Sequence, residues 1–586
     1  MKTPSHLASL ALAALVACAP GRPPPAPAAA STGASWIPRS NANAQLLLDV
    51  QARFQPELAA RTGVAGIDEQ VSDLTPGHLE RQRQAVREVL AQLEQRRQAE
   101  RDPLVALDLD ILVAAAGRQL RGSELQERLT VPYYAVPKMI FGSVRSLLEP
   151  QVAKERHAAA LVRVRKYAGL VPGTTPVVEL AMAETRAALA KGLLPPSRLE
   201  LENDVETSRE LVAGIEKLFR DFAVPGWQEP VAALAQQLGA YEAFVKDELL
   251  PKARADFRLP PELYQFRLEQ VGVDIPAAEL ARRAHEGFAT IQAEMQVVAA
   301  RVAKARGLAS SDYRDVIKEL KKSPIPDDQV LGFYEHRLGE LEQIIREHHL
   351  VTLPSRPARI RLGTPAENAQ QPAPHMIPPR LIGNTGEQGE FVLPLSVPGK
   401  REQKYDDFNF DAAAWTLTAH EARPGHELQF SRMVEMGVSL ARAIFAMNSV
   451  NAEGWGLYAE AITLPFMPDE GKLVSLQLRL QRAARAFLDP ELQQGKWTPE
   501  AARALLMNDV GLSPAFATEE VDRFTFRMPA QATSYYYGYL RLLELRQAVE
   551  QQQGSRFDAQ AFHDLVLSQG LLPPNLMRQV ILGSVH

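Results

Sequence analysis

Residues 411–430 read DAAAWTLTAHEARPGHELQF and residues 451–460 read NAEGWGLYAE, bringing His420, Glu421, His426, Glu453 and Glu460 into one short interval of a 586-residue chain that holds 12 histidines. Two neutral imidazoles and a carboxylate are a common protein ligand set for a catalytic zinc, and a glutamate beside the first histidine can act as base toward an activated water. The spacing dictates how the chain must fold here. His420 and His426 are six residues apart, which on a straight helix at ~100° per residue leaves them about 120° from one another. Pro424 cannot donate the amide bond that would return to the His420 carbonyl, it disfavours a helical Arg423, and Gly425 permits a bend. The helical pattern over 415–422 is therefore expected to kink or end, swinging His426 toward His420. Glu453 and Glu460 are seven residues apart and so lie about 20° from a common direction on a helix. Asn451 is the expected cap of that helix, with Glu453 near the positive end of its dipole. Glu453 is the preferred third ligand and Glu460 an acceptor that orients a ligating histidine, with the two roles open to exchange. Taken alone, the pair also reads as a solvated acid pair flanking the packing residues Trp455 and Leu457.

The residues of HEARPGHELQ (420–429) resemble the H-E-x-x-P-G-H-x-x-Q motif, and those of AEGWGLYAE (452–460) the E-G-W-A-L-Y-A-E motif, of the DUF885 family of zincin-like bacterial proteins. The resemblance runs from about Asn41 to Val585 and includes ARTGVAGIDEQVSD (60–73), PAQATSYYYGYLRLLELR from Pro529 and FHDLVLSQGLLPPNLM from Phe562. It implies a mainly α, large helical zincin-like metallopeptidase fold with a deep cleft, and hydrolysis of peptides. By match to the motif, His420, His426 and Glu453 are the Zn2+ ligands, Glu421 the base, and Tyr535 a tyrosine near the substrate whose hydroxyl stabilises an oxyanion. Three departures stand out: Glu427 where relatives carry another histidine, Gly456 in place of the alanine of E-G-W-A, and Ala530 in place of a glycine after proline. Gly456 costs roughly 1 kcal/mol in helix propensity. None of the three removes an expected ligand.

Two further residues of the carboxy-terminal third are candidates. Arg541 can receive a peptide carboxylate through a bidentate contact, or serve as a surface arginine. His563, beside Asp564, can supply a transition-state donor or a structural hydrogen bond. Other histidines read as scaffold. His157 sits in a helical stretch, His285-Glu286 lacks a second imidazole four residues on, and His348-His349 end a polar helix.

Outward from this centre, three- and four-residue apolar spacings predict helices over most of residues 41–349, the first broken or bent at Pro56. Residues 354–400 are rich in Pro and Gly, and 389–395 read as a short strand that Pro394 suits to a sheet edge, where an extended peptide could pair. Residues 1–17 read as a signal peptide, whose apolar run from Leu7 to Ala17 is too short to span a membrane. Leu15-Val16-Ala17-Cys18 resembles a bacterial lipobox, making the sole cysteine a lipid attachment point, with residues 18–40 as lipidated cysteine and flexible tether. An ordinary signal peptide with an incidental cysteine is the alternative. Residues 41–585 then form the DUF885-like helical catalytic unit, with an amino-terminal lid portion before about 350. Ala19 after the cysteine resembles outer-membrane sorting, on the periplasmic side in a Gram-negative cell.

Hydrophobic residues make up 46% and net charge is −5, so a large core is available and no concentrated basic field points to nucleic acid. The expected protein is an exported lipoprotein and zinc-dependent peptide hydrolase. The alternatives are an amide or ester hydrolase, and a non-catalytic anchored binding or assembly protein with a structural metal.

Overall fold

The computed structural model describes residues 36–371, 373–394, 396–397, 403–404 and 406–585. The expected signal peptide and Cys18 lie outside them. Among the described residues the chain forms 23 α-helices and 5 short strands. No helix among them is long and apolar enough to cross a membrane.

Chain chemistry sets the helix boundaries. The first helix, Trp36–Phe54, begins inside the stretch expected to be tether and stops where Gln55 leaves helical geometry before Pro56, which opens the next helix, Pro56–Thr62. That break follows from the clash between a proline ring and the residue preceding it. Helix Arg198–Asp221 starts where Ser197 accepts the Glu200 amide and caps it.

The apolar faces collect into several clusters. Helices Trp36–Phe54, His78–Ala99 and Pro103–Leu129 meet around Leu47, Leu93 and Leu112. The helices between residues 136 and 244 close around Phe141, Tyr167 and Phe219. The largest cluster is organised by Ala277–Arg306, which lies along Asp469–Gln493. The latter helix is buried from Gly471 to Gln493 with few breaks, although it carries Arg479, Arg482, Arg485 and Asp489. A helix buried on all sides can hold such charges only if they are partnered within the protein.

A small sheet adds Ile360, Phe391 and Leu393 to the largest cluster: β1 (Arg359–Leu362), β2 (His375–Ile377) and β3 (Glu390–Leu393), in the order β1-β3-β2. β3 pairs in parallel with β1 and antiparallel with β2, so it is the central strand and not the edge expected from Pro394. Pro394 falls just past the last paired residue, Leu393, where its missing N–H breaks no ladder bond. With both sides of β3 occupied, the expected docking of a peptide onto this strand has no free edge to use. The strands β2 and β3 abut the turn that carries His420.

Candidate metal centre

Helix Asp411–Leu417 runs directly into a five-residue π-helical turn, Thr418–Ala422, closed by the Arg423 amide donating to the Thr418 carbonyl at 3.1 Å. This wider turn carries His420 and Glu421. Such turns interrupt the regular ladder and are frequent at functional sites. The chain then reverses through a cis Arg423–Pro424 peptide, and a new helix, His426–Met436, begins on the second histidine. A Cβ at Gly425 would lie 1.8 Å from the His420 carbonyl oxygen, so a larger residue would force the two segments apart. The bend is fastened from outside. Trp455 Nε1 donates to the Pro424 and Gly425 carbonyls at 3.0 and 3.3 Å. Arg423 donates to Glu427 at 2.7 Å, to Glu342 at 2.6 Å and to the Arg356 carbonyl at 2.5 Å. Glu427, a departure from the motif, is thus a buried counter-ion of the bend, and it also accepts from Ser431 at 2.6 Å.

The second half of the site rides on helix Ser449–Thr463. Its cap is Asn448, whose side chain accepts the Asn451 amide, and not Asn451 as expected; Asn451 lies inside the first turn, which carries no acid. Glu453 therefore stands beyond the part of the helix where the dipole acts most strongly. Its Oε2 is 3.2 Å from His426 Nε2 and 3.5 Å from His420 Nε2, while the two imidazoles meet edge to face with centroids 4.7 Å apart. Ligand atoms of His420, His426 and Glu453 all fall within 4.8 Å of one another. On the other side of the His420 ring, Nδ1 lies 2.7 Å from Glu460, which also accepts from Thr416 at 2.7 Å. The carboxylate of Glu460 thereby fixes the Nδ1–H tautomer and leaves Nε2 to face Glu453. His426 lacks an equivalent support: its Nδ1 is buried with no hydrogen-bond partner among the described residues.

The electrostatics follow from this packing. Burial lowers the basicity of His420, but hydrogen bonds to Glu453 and Glu460 outweigh it and raise the pKa to about 9. Burial alone would raise Glu453, yet hydrogen bonds from both histidines hold it well below the usual carboxylate range. Burial also works against ionised Glu460, and the Arg482 charge with the His420 hydrogen bond carries its pKa downward. Glu421 goes the other way. It is buried, has no hydrogen bond or ion pair among the described residues, and burial pushes its pKa up despite the nearby His420 and His426. Two imidazole nitrogens and a carboxylate oxygen converging on one point, with one imidazole backed by a carboxylate, fit a divalent cation such as zinc.

Helix Ser534–Gln553 brings Tyr535 alongside, its ring stacked on His420 at 6.1 Å between centroids. The helix can approach because Gly538 and Gly454 touch backbone to backbone; a Cβ on Gly538 would lie 2.1 Å from the Val450 carbonyl oxygen. Gly456 also makes room, since a Cβ there would meet His420 Nε2 at 2.8 Å. Arg523 donates to the Tyr535 hydroxyl at 3.2 Å, and the Arg485 guanidinium lies 4.5 Å from the centre of the tyrosine ring. Ala530 sits at φ 77°, a conformation that favours the glycine of the motif, and its amide donates to both Asp489 oxygens at 2.9 and 3.0 Å. That anchor leads into Gln531, whose side chain reaches Glu453 at 3.4 Å.

The remaining candidates have partners of their own. His563 is buried with Nδ1 at 2.6 Å from the Leu350 carbonyl and Nε2 at 2.8 Å from the Tyr458 hydroxyl, beside Trp455. Arg541 donates to Glu544 at 3.1 Å and Asn575 at 2.8 Å. Sequence reasoning missed Arg423, Arg482, Arg523 and Gln531. The repeated arginines on 479–485 were the one available signal, because a run that buried demands counter-charges nearby.

The fold and this cluster define a large, mainly helical protein with a buried His/His/Glu set able to coordinate a metal ion. The chain belongs to the family described as "Bacterial protein of unknown function (DUF885)", whose model matches residues 56–581. It is similar to a crystal structure of a presumptive lipoprotein from Colwellia psychrerythraea, at 18% identity and TM-score 0.76 over 93% of this chain and 99% of that one. A second similar structure, a presumptive lipoprotein of unknown function from Shewanella oneidensis, shares 20% identity at TM-score 0.71 over 94% of this chain and 100% of that one. None of the curated proteins compared matches this chain.

Proposed function

We propose that the protein is a zinc-dependent hydrolase that cleaves peptide bonds in short peptides. The observation that carries this reading is Glu421, a buried carboxylate without hydrogen bond or ion pair, held among His420, His426 and Glu453. Its carboxylate is therefore left free to take a proton beside the two imidazoles. His420, His426 and Glu453 would hold the metal, which when bound supplies Lewis acidity toward a carbonyl and an acidified water. Glu421 takes the proton of the attacking water and returns it to the departing amine. Tyr535, with its oxygen accepting from Arg523, has its own O–H left to donate to the oxyanion that develops. Glu460 orients His420 throughout. A portion of the chain before about 350 is read as a lid over the metal site, and Cys18 as a lipid anchor that holds the protein on the periplasmic side of an outer membrane. The names of the two similar solved proteins, both described as lipoproteins, support the lipid anchor.

A second reading is a structural metal, favoured by the burial of His420 and His426, which are 1% and 7% exposed. Cleavage of a mixed peptide library by protein of measured metal content, compared with its Glu421→Gln form, separates the two. The hydrolase reading predicts stoichiometric zinc in both and turnover lower by ~10²–10⁴-fold in the variant. Full turnover in a metallated Glu421→Gln protein would remove Glu421 as base, and zinc without cleavage in either form would favour the structural role.

A further inference from the structure

A cavity of about 500 Å³ lies among the amino-terminal helices and the helix Pro261–Val271, and none of the metal-set residues lines it. That volume is in the range of small-ligand sites. Most of the charged groups on its wall are already satisfied. Asp73 is paired with Arg81 at 2.6 Å and Glu127 with Arg83 at 2.5 Å. Glu184 accepts from Tyr134 at 2.8 Å and lies 3.2 Å from His78, while Arg254 is turned to the carbonyls of Pro195 and Arg258 at 3.0 and 2.9 Å. Lys191 is exposed.

Two charges are left over, of opposite sign. Glu200 and Arg267 are half-buried on this wall and each feels the other's charge, yet neither side chain has a hydrogen bond or an ion pair among the described residues. Leu194, Leu259 and Leu263 line the same cavity and offer apolar surface. Half-buried charges without partners are costly, and one ligand that carries both counter-charges would relieve both.

We propose that this cavity binds a zwitterion, a free amino acid or short unblocked peptide, with its ammonium at Glu200, its carboxylate at Arg267 and an apolar side chain against the leucines. The site does not depend on the hydrolase reading. Arg267 also lies within electrostatic reach of Asp489, the residue that anchors Ala530 ahead of Gln531. Burial and the Asp204 charge raise Glu200 to about 7, against Arg254, Arg267 and Lys138. Asp204 is itself engaged by Lys138 and by Tyr133 at 3.0 Å. An incoming ammonium favours the ionised form of Glu200. Affinity therefore rises as pH is raised through 7, then falls once the ligand's own α-amino group, with a pKa of roughly 8, loses its proton.

The test is calorimetric titration of the metal-stripped Glu421→Gln protein with alanyl-leucine, N-acetyl-alanyl-leucine and alanyl-leucine amide. The free dipeptide is expected to bind at one site, with each blocked form at least tenfold weaker. Glu200→Gln should cost tenfold with the free dipeptide and little with the acetylated one; Arg267→Gln should cost tenfold with the free dipeptide and little with the amide. Proton release on binding at pH 7 should vanish in Glu200→Gln. Absence of saturable binding, or equal affinity for blocked and free dipeptides in the unaltered cavity, overturns the proposal without needing either cavity variant to fold.

Discussion

His420 and His563 are each 1% exposed and each has both ring nitrogens facing a polar partner. Their chemistry is opposite. His420 lies between two carboxylates and its pKa is raised to about 9, whereas His563 lies between a carbonyl and a hydroxyl and burial drives it down to about 4. Depth does not separate the two histidines; the charge of the neighbours does. A histidine belonging to a set able to hold a cation is flanked here by acids that would also attract the cation, and one that holds two elements together is flanked by neutral dipoles.

The sharpest way to break this contrast is to remove each ring. His420→Ala is expected to abolish stoichiometric metal binding, while His563→Ala keeps its metal and loses on the order of 3 kcal/mol of stability from the buried partners left behind. Metal analysis beside denaturant unfolding separates them, and metal loss in His563→Ala would erase the distinction. A subtler probe is Glu460→Gln, which keeps a hydrogen-bond acceptor but not the charge. It should weaken metal affinity by ~10–100-fold in a chelator competition; unchanged affinity would mean that the carboxylate only positions the ring.

The pH dependence of His563 follows from the direction of its shift. The unfolded chain takes up its proton near the ordinary 6.5, the folded chain only near about 4. The stability held by the neutral ring is thus complete above pH 6.5 and falls between 6.5 and 4, by at most about 1.4 kcal/mol per pH unit. His375, also lowered to about 4 by burial, adds to the same slope. Unfolding curves of His563→Asn should be flatter over that window, and an identical slope would show that His563 titrates normally. The smallest effect is expected at Arg541. Its partners Glu544 and Asn575 form a largely solvent-facing network, so Arg541→Ala should shift stability by less than about 0.5 kcal/mol and leave peptide cleavage unchanged. A rise in KM would return Arg541 to the substrate.

The legible part of the molecule was the part governed by local rules. Six-residue spacing with Pro424 and Gly425 foretold the bend between the histidines, and seven-residue spacing put Glu453 and Glu460 on one helical face. Helical periodicity likewise located most of the scaffold. The illegible part depends on distant segments. That β3 is central rather than an edge depends on β1, some 30 residues upstream, pairing in parallel with it, and no local residue records that. That Arg423 clamps the bend depends on Glu342 and Arg356, and the tyrosine's neighbour Arg523 reads as an ordinary helical arginine until the turn around Ala530 is folded. Asn448 overtook Asn451 as cap because the helix starts one residue after it, a boundary that periodicity leaves loose.

The backbone contact between Gly454 and Gly538 bears on motion as well as on shape. Glu453 precedes one of these glycines and Tyr535 stands one turn before the other, so the backbones that carry a carboxylate and a hydroxyl on separate helices are referenced to the same pin. Side-chain contacts can loosen by rotation, but two touching main chains can only slide or part. Breathing that admits a ligand to His420 is therefore expected to hinge elsewhere, carrying the main chains at Glu453 and Tyr535 together like two jaws cut from one block.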